Sequence, residues 1–142
     1  MKKKEKRHDV IRKLIQEHAV KTQRELAELL LQEGFECTQA TISRDVIDLG
    51  LVKAGNGCYV LPQELRLSRL VADLVEEVNY ACNLVVVKTS PGAAQGVSAA
   101  LDSSNLCGVL GTVAGDDTIM IAVESEEAAS NVAHHIKSLI RE

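Results

Sequence analysis

The sequence predicts an α+β chain in two parts: a helical module closed by a β-hairpin, then a two-layer α/β domain. Three observations predict it. Within residues 1–62, apolar residues recur at helical spacing in three segments and then flank a Gly55-Asn56-Gly57 turn. From residue 63 onward the segments read helix, strand, strand, helix, strand, strand, helix, the order of a sheet packed against helices. Charge divides at the same place. Residues 1–62 carry 11 Lys/Arg against 9 Asp/Glu, and residues 63–142 carry 5 against 11. A mildly basic half before an acidic one points to a nucleic-acid-facing module joined to an acidic partner domain.

Length and composition bound the rest. The 142 residues are room for one large domain or two small ones, here expected at 1–62 and 63–142, linked through Pro62–Leu65. With one Phe, two Tyr and no Trp, any core is aliphatic. No apolar run approaches the roughly 20 residues of a membrane span, and the basic start lacks a signal peptide's apolar stretch. Cys37, Cys58, Cys82 and Cys107 form no C-x-x-C pair, so they read as reduced thiols of a cytoplasmic protein. No phosphate-binding glycine motif or metal-ligand spacing is present.

In the first half, Met1–Arg7 reads as a basic tail, able to reach phosphates if a DNA-binding helix lies beside it. A helix follows with Val10, Ile11, Leu14 and Ile15 on one face. Thr22-Gln23-Arg24-Glu25 is a capping box opening a second helix, whose buried stripe is Leu26, Leu29 and Leu30. Gly34 ends it and Phe35 anchors the turn. Thr38 caps a third helix, Gln39–Leu49, with Ile42, Val46 and Leu49 inward at 100° per residue. Ala40, Thr41, Ser43 and Arg44 then lie to the side or outward, near the helix start. Arg bonds guanine bidentately, Ser and Thr meet several base edges, and an Ala methyl meets thymine's. Two capped helices around a turn make a helix-turn-helix, and the hairpin Leu51–Leu61 makes it winged. A helical module that binds another protein is the competing reading.

In the second half, Leu65–Asp73 is expected to be helical, and Val75–Tyr80 and Leu84–Thr89 to be strands joined around Cys82-Asn83. Leu84-Val85-Val86-Val87 is apolar on both faces, which predicts a strand covered on each side. Ser90-Pro91 reads as a cap followed by Pro at the first helical position, opening a helix over Gly92–Leu101. Gln95 is the one long polar side chain in its first two turns; alone it reads as a surface residue. Ser125 caps a last helix with Ala129, Val132, Ala133, Ile136 and Ile140 inward. About 75 residues with few aromatics make a marginal domain, so oligomerisation is the expected way to bury more apolar surface.

Between the apolar runs Leu106–Leu110 and Ile119–Val123 lies Gly111-Thr112-Val113-Ala114-Gly115-Asp116-Asp117-Thr118, read as a turn. Adjacent carboxylates repel, and a cation relieves them. A guanidinium suits best, because its planar fork matches a carboxylate bidentately. On these eight residues alone, a solvated Asp-Asp turn is the competing reading.

Three motifs in this order carry a resemblance over nearly the whole chain. They are Thr38-Gln39-Ala40-Thr41-Ile42-Ser43-Arg44-Asp45, Thr89-Ser90-Pro91-Gly92-Ala93-Ala94-Gln95, and the octapeptide Gly111–Thr118. The chain resembles the bacterial arginine repressor family. The resemblance implies a winged-helix N-terminal domain and a C-terminal domain that trimerises, with two trimers stacked into a hexamer. It implies L-arginine as corepressor or activator, bound at the trimer–trimer interface, and roughly palindromic operator DNA as partner. Carried over, the arginine site comprises Gln95, Asp102, Thr112, Ala114, Gly115, Asp116 and Asp117, and the DNA-reading set Gln39, Thr41, Ser43 and Arg44. No metal, no further cofactor and no membrane association are implied. Two features depart from the family pattern: a short wing turn at Gly55-Asn56-Gly57, and Cys82 where a Gly-Asn turn is usual.

Other function classes are separable. An enzyme needs a nucleophile or acid/base pair, and no motif places His, Lys or Cys near the Asp116–Asp117 pair. A winged-helix regulator of another cationic metabolite, such as ornithine, citrulline or agmatine, is the alternative. Citrulline lacks the guanidinium charge and agmatine the carboxylate, so a binding series separates them.

Overall fold

The computed structural model describes residues 2–140. The chain forms two compact units, Met1–Leu65 and Arg66–Glu142. Met1, Arg141 and Glu142, which the expected limits 1–62 and 63–142 include, lie outside the described residues.

Unit 1 consists of α1 (Lys2–Glu17), α2 (Gln23–Gln32), α3 (Gln39–Asp48) and the two-residue strands β1 (Val52–Lys53) and β2 (Tyr59–Val60). Its core is aliphatic, with Ile11, Leu14, Ile15, Leu26, Leu30, Ile42, Leu51 and Leu61 buried. The expected basic tail is instead the start of α1, which runs from Lys2. Ion pairs from its first two turns to α3 account for the order: Lys4 Nζ lies 3.1 Å from Asp48, and Arg7 pairs with Asp45. At α2, Thr22 Oγ1 accepts from the Glu25 amide at 3.1 Å, while the Glu25 carboxylate accepts from the amide of Lys21. Gly34, at φ +90°, ends α2 and lets the Phe35 amide turn back onto the Leu30 carbonyl at 2.9 Å. Thr38 caps α3 through the Thr41 amide at 3.2 Å. The hairpin pairs Val52 with Val60 and Lys53 with Tyr59.

The remaining elements are α4 (Pro62–Leu74), β3 (Val75–Ala81), β4 (Leu84–Thr89), α5 (Ala94–Ser103), β5 (Val109–Ala114), β6 (Thr118–Val123) and α6 (Glu126–Ile140). The division between units falls inside α4, so Pro62–Leu65, expected as a linker, is that helix's first turn. Pro62 tolerates the position because its missing N–H has no intrahelical acceptor there. The sheet is antiparallel with order β3-β4-β6-β5. Val71, Val78, Val85, Val87, Val97, Leu101, Ile119, Ile121, Val132 and Ile136 fill the layer between sheet and helices.

Three expectations are corrected in unit 2. β4 is not covered on both sides: Val85 and Val87 are buried, but Leu84 and Val86 are only half-buried. The same sheet face carries Val113 and Met120, 73% and 51% exposed, so in a single chain it has no second layer. The helix expected from Gly92 begins at Ala94, and Ser90 does not cap it. The Ser90 amide and hydroxyl both donate to the Leu74 carbonyl, and Gly92 turns the chain at φ +82°. Finally, Gly111–Ala114 is strand, paired with Ala122–Ile119 of β6, so only Gly115–Asp117 forms the turn. Cross-strand pairing with an apolar partner outweighed the turn tendency of Gly111.

Candidate functional site

In unit 2 the expected ligand residues meet along the packing of α5 on the edge strand β5. Gln95, Ser98 and Asp102 project from one face of α5 at i, i+3 and i+7. Gln95 Nε2 donates to the Ala114 carbonyl at 2.9 Å. Thr112 Oγ1 donates to Asp102 Oδ1 at 2.8 Å and sits 3.0 Å from Ser98 Oγ. With the Thr112 proton on Asp102, Ser98 is the donor to Thr112, a hydroxyl relay ending on a carboxylate. Ser98 was not singled out from sequence. The legible signal was its spacing, three residues after Gln95 and four before Asp102.

The turn that closes β5 is tethered by its backbone. Gly115 N donates to the Thr118 carbonyl at 2.8 Å. The Asp116 carbonyl accepts from Gly92 N at 3.1 Å and Ala94 N at 3.2 Å, and the Asp117 carbonyl from Thr89 N at 2.8 Å. With four main-chain bonds holding the turn, both carboxylates are left at the surface. Asp117 Oδ1 accepts from Thr118 Oγ1 at 2.9 Å, and that hydroxyl accepts from Lys88 Nζ at 2.8 Å. Asp102, Asp116 and Asp117 make no ion pair among the described residues. The structure therefore gathers the seven residues in two groups. Gln95, Ala114, Gly115, Asp116 and Asp117 stand at the N-terminal end of α5, while Asp102 and Thr112 lie about 10 Å along its axis at ~1.5 Å per residue. Exposed, unpaired carboxylates on a pre-ordered turn are suited to binding a cation with several donors.

In unit 1, α3 turns Gln39, Ala40 and Arg44 to solvent. The Arg44 side chain is 77% exposed, and its Nε forms a loose ion pair with Asp48 Oδ1 at 3.6 Å, too long for a hydrogen bond, so the guanidinium fork stays open to solvent. Thr41 is half-buried, its hydroxyl 3.0 Å from that of Thr38. Ser43 Oγ donates to Gln23 Oε1 at 2.7 Å, so its hydroxyl ties α3 to the start of α2. The wing turn is tight: Ala54 N bonds the Cys58 carbonyl, and Cys58 N bonds Asn56 Oδ1 at 3.0 Å.

Asp45 belongs to the motif of α3 but has no role legible in its sequence neighbours, yet it is the buried charge of this unit, at 1% exposure. Arg7 grips it with both Nε and Nη2, and His8 Nε2 lies 2.8 Å from Oδ1. Burial alone pushes the Asp45 carboxyl upward in pKa, but hydrogen bonds from Arg7 and His8 and their charges outweigh it, holding the carboxyl below its ordinary range. The same hydrogen bond raises the Arg7 guanidinium. The signal was an Asp on the inward face of α3, among Ile42, Val46 and Leu49, where a lone charge is costly and demands a partner. Above this clasp lies a cleft of about 310 Å³ lined by Lys4, Arg7, Ala40, Thr41, Arg44 and Asp45.

Comparison with known proteins adds to this geometry. The DNA-binding domain of the arginine repressor matches residues 2–67, and its C-terminal domain matches residues 71–138. A protein of Desulforudis audaxviator named arginine repressor is 46% identical over 96% of this chain and 98% of its own. Similarly named proteins of Carboxydothermus hydrogenoformans and Koribacter versatilis are 44% and 45% identical, covering 89% and 94% of this chain and 92% and 96% of theirs.

Proposed function

We propose, from the premise that the chain belongs to the arginine repressor family, that it is an L-arginine-dependent transcriptional repressor of arginine genes. The chain is a DNA-binding regulator by family and not an enzyme. Unit 1 reads roughly palindromic operator DNA through Gln39, Thr41, Ser43 and Arg44, and unit 2 holds L-arginine as corepressor. No other cofactor is assigned. No described helix is long and apolar enough to cross a membrane, and we place the protein in the cytoplasm.

The observation that carries the arginine reading is the tethered Gly115–Asp117 turn, whose two carboxylates have no cationic partner among the described residues. L-arginine supplies a guanidinium for one carboxylate and an α-ammonium for another. The direct test is operator-fragment binding with and without L-arginine, alongside calorimetric titration with L-arginine, ornithine, citrulline and agmatine. Tightest binding by L-arginine supports this reading, and a preference for ornithine or agmatine replaces it with a regulator of that metabolite.

The DNA side makes its own prediction. Arg44→Ala is expected to cost roughly 1–3 kcal/mol of discrimination, about five- to 150-fold on cognate DNA, with little change on random DNA. Replacing Lys2 and Lys3 with Ala is expected to lower affinity uniformly and flatten its salt dependence, as loss of phosphate contacts does, whereas Lys4 also pairs with Asp48 and is left in place. Filter binding across a salt series distinguishes the two, and equal loss on both DNAs would reduce Arg44 to a phosphate contact.

The uncovered sheet face with Val113 and Met120, together with Leu110 at 69% exposure on the edge strand, supports an assembled form. Apolar surface of this kind on a small domain favours association. We expect trimers at least, and hexamers favoured by L-arginine, since a ligand lodged between trimers binds the assembled state preferentially. Sedimentation as a monomer at micromolar concentration, with and without L-arginine, would remove this part of the proposal.

A further inference from the structure

Ile47 is the one large apolar side chain on the outer face of α3, and it is 73% exposed. At about 100° per residue it projects roughly 20° from Ala40 and 60° from Arg44, well away from the buried Ile42. Apolar residues scattered singly over a surface carry no meaning in themselves. The position of this one does, because it stands in the middle of the face that also carries the solvent-exposed guanidinium of Arg44. Helix propensity does not account for it either, since a β-branched residue is a mediocre choice at an exposed helical site.

Two kinds of occupant suit an exposed isoleucine, a protein patch or a base edge. A protein contact needs several apolar neighbours, and Ile47 is surrounded on its face by Ala40, Ser43, Arg44 and Asp48. Among base edges in the major groove, the C5-methyl of thymine is the apolar group on offer, and aliphatic contact is how it is read. Distance fits as well. Three residues along a helix advance about 4.5 Å, close to one base-pair step of ~3.4 Å.

We propose that Ile47 is a specificity-determining residue that reads the 5-methyl group of a thymine, one or two steps from the base pair met by Arg44. This rests on the DNA-binding reading above and adds a base and a chemical group to it. Ile47 carries no charge, so a contact through it discriminates between sequences and does not add to general affinity for phosphate. Its exposure means that truncation leaves the core of unit 1 untouched.

The experiment begins with the full chain and L-arginine selecting duplexes from a randomised library. The selected duplex is then synthesised with deoxyuridine replacing one thymine at a time, which removes only the methyl group. Wild-type affinity is expected to fall roughly three- to tenfold at one thymine per half-site, the scale of one buried methyl group. Ile47→Ala should bind the thymine and deoxyuridine duplexes equally, with affinity for random DNA unchanged, and Ile47→Val should retain part of the discrimination. Indifference of the wild type to every methyl overturns the proposal, as does undiminished methyl discrimination by Ile47→Ala. An Ile47→Ala chain with altered oligomer mass and intact methyl discrimination assigns the residue to a protein contact instead. A library that yields no preferred sequence with the wild type overturns the DNA reading itself, a result distinct from the others.

Discussion

Asp45→Asn is expected to destabilise unit 1 by about 3 kcal/mol, the low end for breaking a buried ion pair. The cost arises from the orphaned partners more than from the lost bonds. Arg7 and His8 are each 14% exposed and would regain only part of their hydration. For a unit of 65 residues this is a large share of stability, at roughly 0.05–0.15 kcal/mol per residue. Hydrogen exchange resolves it from the rest of the chain: amides of Gln39–Asp48 should lose protection, while those of β4 and β6 in unit 2 keep theirs. Unchanged protection in α3 would show that the clasp contributes nothing.

The same carboxyl sets an acid limit. Its folded pKa is depressed, so its contribution is fully present above the unfolded value, near 4, and is lost as pH falls through the folded value. Wild-type unit 1 should therefore loosen below about pH 4, and Asp45→Asn should flatten that dependence while lowering stability at neutral pH. A variant that keeps the wild-type acid slope would assign the transition to other carboxylates.

Asp117→Asn is expected to weaken L-arginine binding roughly ten- to a hundredfold, since a charge-assisted hydrogen bond contributes about 1.5–3 kcal/mol and 1.4 kcal/mol is tenfold. The fold should survive. Asn keeps an oxygen to accept from Thr118 Oγ1, and the tether from Thr89 N to the residue's carbonyl involves only main chain. Arginine-enhanced operator binding should disappear with the affinity. Calorimetry on Asp116→Asn and Asp117→Asn, each against the wild type, identifies which carboxylate meets the guanidinium. Two variants binding as tightly as the wild type would leave the pair as a solvated turn.

Much of this molecule was legible before its structure. The caps at Thr22, Thr38 and Ser125, the stop at Gly34 and the hairpin around Gly55-Asn56-Gly57 all formed where expected. Each is a local device, in which side chains bond the backbone within a few residues, so the order of residues suffices to reveal it. The helix and strand order of unit 2 was legible for a related reason: its buried positions repeat with the period of the element they belong to.

What went unread depends on partners far apart in the chain. The start of α1 looked like a tail because its lysines and Arg7 have no local counterpart; Asp45 and Asp48, about forty residues away, supply one. Ser98 has no local partner in the sequence, and β5 brings Thr112 against it only in the fold. Ser90 had the form of a cap, but packing directed its hydroxyl to Leu74. Periodicity reports that a residue is buried or exposed but not what it meets. The sequence by itself therefore determined the elements, their order and the residue types at both sites. Only the tertiary structure decided that β4 is open on one face, that the Gly115–Asp117 turn is tethered through its backbone, and that a buried carboxylate clasps α1 to α3. Those outcomes depend on energies of contact and desolvation between distant segments, which no local pattern encodes.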